Sequence, residues 1–195
     1  MKIKLLVAGL MVTFSSWSLS EQTWADGPLK SGIAVGQFVS SFESIKCGGA
    51  AKDGEKVGSQ LCYICKYDQR PVVLIFARKS DAALARLVKQ LDKLLEKHQG
   101  RKLAGIVSLI GAKPAVLKSR AKTFASRNKL KRVPIVVPVE AALSGPKDFQ
   151  LNPAADFTVM MYVKGVIKAN RAFTSKELTA KAVNLLLTDV RKILK

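Results

Sequence analysis

Three cysteines, Cys47, Cys62 and Cys65, occur in the 195-residue chain, and two of them form the run Cys62-Tyr63-Ile64-Cys65. Two thiols separated by two residues can close a tight ring that tends to be strained and reducible, which suits thiol–disulfide exchange. Lys66 and Arg70 follow closely and favour a thiolate. In that arrangement Cys62 and Cys65 are the candidate redox pair and Cys47 a candidate resolving thiol. A structural arrangement competes with it, in which Cys62 or Cys65 bonds back to Cys47 and closes the Gly-rich segment "CGGAAKDGEKVG" (47–58). By chain entropy a loop of about 15 residues contributes roughly 3 kcal/mol. A zinc site needs about four ligands, and beyond the three cysteines only the distant His98 is available. Cys65 precedes Lys66 and not a histidine, so the pattern for covalent haem attachment is absent. A Cys–His hydrolase pairing has no support either. No metal and no cofactor is expected, and the two thiol readings stay open.

The compartment bears on that chemistry. "MKIKLLVAGLMVTFSSW" has two lysines, an apolar stretch and then small polar residues, the layout of a secretory signal peptide. Cleavage is expected after Ser20 or Ala25. The apolar part is shorter than the roughly 20 residues of a spanning helix, so no transmembrane helix is expected in the mature chain. The expectation is a soluble protein, secreted or periplasmic. In an oxidising compartment three cysteines mean one disulfide and an odd thiol, or redox traffic among the three.

The formal charge is +19, from 33 basic and 14 acidic residues; loss of Lys2, Lys4 and Glu21 with a leader of residues 1–25 makes it +18. Such a charge concerns partners and not fold. The densest basic stretch holds Lys118, Arg120, Lys122, Arg127, Lys129, Lys131 and Arg132. It can be an anionic-surface contact or the solvated face of a helix and its following loop. Nucleic acid is disfavoured as a partner, because no aromatic residues are interleaved for base stacking.

Elements that position the cysteines follow from periodicity. Residues 26–70 read as an irregular N-terminal segment with short strand-like pieces such as 37–45 and a flexible loop at 47–58. Residues 71–195 read as the core. "PVVLIFA" (71–77), "KLAGIVSLI" (102–110) and "VPIVVPV" (133–139) are buried strands. Ser80 is the expected cap of a helix with a stripe of Leu84, Leu87, Val88, Leu91, Leu94 and Leu95, ended by Gly100. Pro114 opens a second helix with Leu117, Ala121 and Phe124 inward. "FTVMMYV" (157–163) and "VIKANRAF" (166–173) flank Lys164-Gly165 as a hairpin. "TSKE" (174–177) is a capping box for a last helix with Leu178, Ala182, Leu185, Leu186, Val190 and Ile193 on its apolar face. The order β-α-β-α-β, loop, hairpin, helix predicts an α/β fold, a central mixed sheet with helices on both faces.

This order resembles the thioredoxin-like superfamily, in particular its peroxiredoxin-like branch, the alkyl hydroperoxide reductase and thiol-specific antioxidant group. The resemblance covers residues 33–195. "TVMMYVKGVIKA" (158–169) is similar to the hairpin that follows the cis-proline of thioredoxins, and "VVLIFARKSDAALARLVKQL" (72–91) to the strand and helix bracketing their active site. The resemblance implies thiol–disulfide or peroxide chemistry on protein thiol substrates. The chain departs from the pattern in two places. Lys79, Ser80, Asp81 and Ala82 occupy the strand-to-helix turn where the family's reactive cysteine lies, and Phe157 stands in the cis-proline place. A serine hydroxyl cannot replace a thiolate stabilised at a helix N-terminus. Two functions are therefore carried forward: an exported oxidoreductase acting through Cys62 and Cys65, and a non-catalytic thioredoxin-like scaffold with a structural disulfide and a basic surface.

Overall fold

Val72–Ala77 (β3) is buried along its whole length, and the sheet grows outward from it in both directions. In the computed structural model, which describes residues 29–194, β3 pairs in parallel with Ala104–Leu109 (β4), and β4 pairs in parallel with Ile135–Pro138 (β5). On the other side of β3 lie Phe157–Val163 (β6) and Val166–Phe173 (β7), each antiparallel to its neighbour. Two N-terminal strands, Ser44–Gly48 (β1) and Gln60–Leu61 (β2), extend the sheet beyond β5, giving the order β2-β1-β5-β4-β3-β6-β7. Continuous Val, Ile and Leu runs form the parallel strands because both of their faces are covered.

The two faces are covered unequally. Ala82–Lys97 (α2), Pro114–Arg127 (α3) and Ala180–Thr188 (α4) pack together on the face presented by Val73, Ile75 and Ala77. Both parallel crossovers, β3-α2-β4 and β4-α3-β5, step the same way along the sheet, so right-handedness places their helices on one side. Val72, Leu74 and Phe76 face the other way, toward Ile33, Phe149 and the short helix Tyr63–Tyr67 (α1). Among the described residues no helix is long and apolar enough to cross a membrane. The expected leader lies outside the described residues.

Several boundaries differ from the sequence expectation, each for a local reason. The first strand begins at Ser44, and upstream Phe38 makes only an isolated bridge to Val166. Asp81, not Ser80, caps α2, its carboxylate accepting from the Ala83 and Leu84 amides. That helix stops at Lys97 with His98 as its C-cap, and the left-handed residue that turns the chain is Lys102 (φ 53°), not Gly100. At 174–177 the Thr174 amide and hydroxyl do bond Glu177, yet α4 itself starts at Ala180, capped by Thr179. Delayed by that turn, the helix directs Val183 and Leu186 inward and leaves Leu185 61% exposed. Lys164 (φ 52°) and Gly165 (φ 75°) form the two-residue turn between β6 and β7, the positive-φ geometry that matches strand twist.

Candidate functional site

Cys62 follows β2 directly and is the N-cap of α1; its sulfur accepts the Cys65 amide at 3.0 Å. Its bonding partner is Cys65, one turn on, with the Cα atoms 5.3 Å apart. Tyr63, Ile64 and Tyr67 fall on one side of the turn and are buried, which fixes the helix against β3 and β4. The opposite side leaves Cys65 and Lys66 exposed, while Cys62 is half-buried. The helix ends at Asp68, whose φ of 44° turns the chain into β3.

A buried ion pair holds this helix to the preceding loop. Ser44 and Lys46 alternate with Ile45 and Cys47 along β1, so Lys46 points to the α1 side while Cys47 points to the other. The Lys46 ammonium, 1% exposed, donates to the Ala50 and Glu55 carbonyls at 3.0 and 2.9 Å and to Asp53 Oδ1 at 2.6 Å. All three of its protons therefore have acceptors. Asp53 Oδ1 also accepts the Glu55 amide, and Oδ2 accepts the Tyr63 hydroxyl at 2.6 Å. Burial acts to raise the Asp53 pKa, but the bonds from Lys46, Tyr63 and the Glu55 amide prevail and hold it below the usual value. Burial, then the Asp53 carboxylate, push the Tyr63 phenol far up. The loop expected to be flexible is thus tied by one lysine at two carbonyls and a carboxylate. Gly49 (φ +70°) allows its entry, since a Cβ there would meet the Val133 carbonyl oxygen at 2.1 Å.

Cys47 lies within the core under α3, on the opposite face of the sheet from α1, and is free. Burial raises its thiol pKa, with Lys118 acting the other way. The disulfide of the N-terminal segment is Cys62–Cys65, so of the two open arrangements the clip from Cys47 to either cysteine is not formed.

Ser80 and the Cys-x-x-Cys lie on the two segments that flank β3 in the chain. Lys66–Arg70 lead into its first residue, whereas Ser80 and Asp81 follow its last. Across the sheet, Leu61, the residue before Cys62, pairs with Ser44 and Ser44 with Pro138, and β1, β5 and β4 lie between β2 and β3 in the strand order. At the Ser80 end, Asp156 accepts Lys79 and the Ser175 amide, and Ser175 Oγ donates to Asp81. Phe157 begins β6 opposite Ala77, fully buried, and among the described residues no peptide bond is cis.

The basic run singled out in the sequence divides. Lys118, Arg120, Lys122, Arg127 and Lys129 are exposed on α3 and its following turn. Lys131 and Arg132 instead face a cleft of about 580 Å³ with Lys52, Lys66, Arg70 and Lys102. His98 stands at the α2 C-cap, and no group of three or more His, Cys, Asp or Glu able to hold a metal occurs among the described residues. Sequence reasoning missed Lys46, Asp53 and the Tyr63 hydroxyl. Their one sequence signal is the two-residue alternation of 44–47, which puts a lysine and not an apolar residue on an inward face.

No family model and no curated protein matches the sequence. Solved structures match the fold. A putative protein disulfide isomerase from Bacteroides thetaiotaomicron is 15% identical, with a TM-score of 0.62 over 85% of this chain and 94% of its own. A putative thiol:disulfide interchange protein DsbE from Chlorobium tepidum is 10% identical, with a TM-score of 0.61 over 84% and 99%. Peroxidoxin BcpB from Mycobacterium tuberculosis is 13% identical, with a TM-score of 0.57 over 83% and 98%. The chain has a thioredoxin-like fold, and its structural neighbours include both disulfide-exchange and peroxiredoxin proteins.

Proposed function

We propose that this protein is an exported thiol–disulfide oxidoreductase whose redox pair is Cys62 and Cys65. One observation carries the reading: the two cysteines are bonded at the start of a surface helix, with Cys65 exposed and the Cys62 sulfur accepting the Cys65 amide. A substrate thiolate attacks the exposed Cys65 sulfur, the Cys62–Cys65 bond breaks, and Cys62 leaves as a thiolate. The amide directed at Cys62 lowers the basicity of that leaving group, and exchange is faster the lower the leaving thiol's pKa. A second substrate thiolate then attacks the substrate sulfur of the mixed disulfide and releases Cys65. Two electrons pass to the protein, and two substrate thiols leave as a disulfide. The reverse sequence reduces a substrate disulfide. Cys47, buried on the opposite face, takes no part in it. The leader-like N-terminus and a free cysteine kept out of solvent support an oxidising compartment.

Reduction-potential measurement tests the reading. A Cys62–Cys65 potential above about −300 mV, with turnover of a small disulfide-bonded substrate, is expected. A lower potential without turnover favours the scaffold reading, which the thiol-free turn at Ser80 supports.

A further inference from the structure

We infer that the cleft beside α1 binds an acidic peptide segment carrying the thiol that exchanges with the Cys62–Cys65 bond; this names the substrate class of the site proposed above and rests on that reading. Its wall begins at Lys66 and Tyr67, the two residues after Cys65, and the almost fully buried Leu95, Leu103 and Ala104 lie at its base. Six cations line it, drawn from four separate stretches of the chain: Lys52, Lys66, Arg70, Lys102, Lys131 and Arg132. About 580 Å³ is a size that takes a small ligand or a short peptide stretch.

Side-chain contacts hold three of the cations, Lys66, Arg70 and Arg132. Arg70 donates Nε to the Lys102 carbonyl at 2.8 Å and stacks on Tyr67, 4.8 Å from its ring centre. Asp92 on α2 accepts the Lys131, Arg132 and Val133 amides, which fixes the backbone of the turn from which Lys131 and Arg132 line the cleft. Four carboxylates lie nearby and offset part of the charge. Asp53 is occupied by Lys46 and Tyr63, Glu55 pairs with Lys66 at 2.5 Å, Glu96 pairs with Arg132 at 2.8 Å, and Asp92 faces backbone. Among the described residues Lys52, Arg70, Lys102 and Lys131 form no ion pair, so a positive excess remains in the cleft, whose wall starts at the residue after Cys65. Such an excess in a concave site raises the local concentration of an anionic reactant. A peptide can carry both the anionic charge and the thiol that exchanges with the Cys62–Cys65 bond, which a free inorganic anion cannot. In the reaction, two cysteine thiols of the bound class lose two electrons and two protons; the broken Cys62–Cys65 bond takes the electrons, and the protons finish on those two sulfurs.

The test compares reduction of the oxidised full-length mature protein by three short cysteine peptides flanked by glutamates, by serines or by lysines. The acidic peptide is expected to react about tenfold faster than the neutral one at low ionic strength, at the low end of electrostatic focusing. That ratio should fall toward one as salt shortens the screening length, and should also fall in Lys102→Glu with Lys131→Glu. The salt series uses the unaltered protein and needs no variant to fold. Equal rates for the three peptides, or a ratio unmoved by both salt and charge reversal, would overturn the inference while leaving the redox reading intact. If none of the peptides reduces the bond, the redox reading fails and binding alone decides the cleft. The acidic peptide with serine in place of cysteine should then shift the backbone amides of 66–70 and 102–104; absence of such shifts, or equal shifts from the lysine peptide, overturns it.

Discussion

The Tyr63 hydroxyl donates to the Asp53 carboxylate at 2.6 Å, so the second residue of the Cys-x-x-Cys is bonded to the loop that precedes it by ten positions. Removing the hydroxyl tests how firmly the motif is held. In Tyr63→Phe the carboxylate keeps Lys46 and the Glu55 amide, so no charge is orphaned. The loss is one charge-assisted bond, and stability should fall by about 1.5–3 kcal/mol. Urea unfolding measures it, and a change below a few tenths would mean the bond does not anchor α1.

Thiol titration should separate the three cysteines by face of the sheet. The oxidised native protein should show no thiol reactive to an aromatic disulfide reagent. Mild reduction should expose two that react quickly, Cys62 and Cys65. Cys47, buried with a raised pKa, should respond only in denaturant. Fast labelling of Cys47 in the native, oxidised protein would contradict its placement under α3.

The strands and helices after residue 71 were legible because apolar runs and 3.6-residue stripes report burial directly. Leu84, Leu87, Val88 and Leu91 are all buried as their spacing predicts, and the hairpin turns at Lys164-Gly165. The segment holding the site was less legible. Its order comes from a polar network, and hydrogen bonds between Lys46, Asp53 and Tyr63 leave no periodicity to read. The cleft was hidden for a related reason: its cations come from four stretches, and only Lys131 and Arg132 belong to the dense run at 118–132. The cap of α4 fell at Thr179, beyond the 174–177 box, whereas the cap of α2 was legible to within a residue, since Ser80 and Asp81 are both capping types and only geometry chooses.

That choice is itself testable. Asp81 accepts two helix amides and the Ser175 hydroxyl, while Ser80 makes no cap contact. Asp81→Ala should cost about 0.5–2 kcal/mol, the usual range for a lost N-cap, and Ser80→Ala less than about 0.5. Thermal unfolding of the pair of variants decides between the two residues. Equal losses would return the cap to Ser80.

Acid should weaken the fold partly through Asp53. Its carboxyl binds a proton less tightly in the folded chain than at the ordinary value of 3.8, so the folded state holds fewer protons as that value is crossed. The stabilisation is complete above pH 3.8 and is lost as pH falls through the lower folded value. Asp156 and Asp189 are shifted the same way, so wild-type acid unfolding alone does not isolate Asp53. The difference between wild type and Asp53→Asn does. At pH 7 the variant leaves the Lys46 ammonium buried without a counter-charge, a loss of about 3–5 kcal/mol. Near pH 2 the wild-type carboxyl approaches the same uncharged condition, and the gap between the two should narrow. Urea midpoints of both proteins across pH 2–7 measure it. A gap constant over that range would show that the charge on Asp53 contributes nothing to holding Lys46 and the loop.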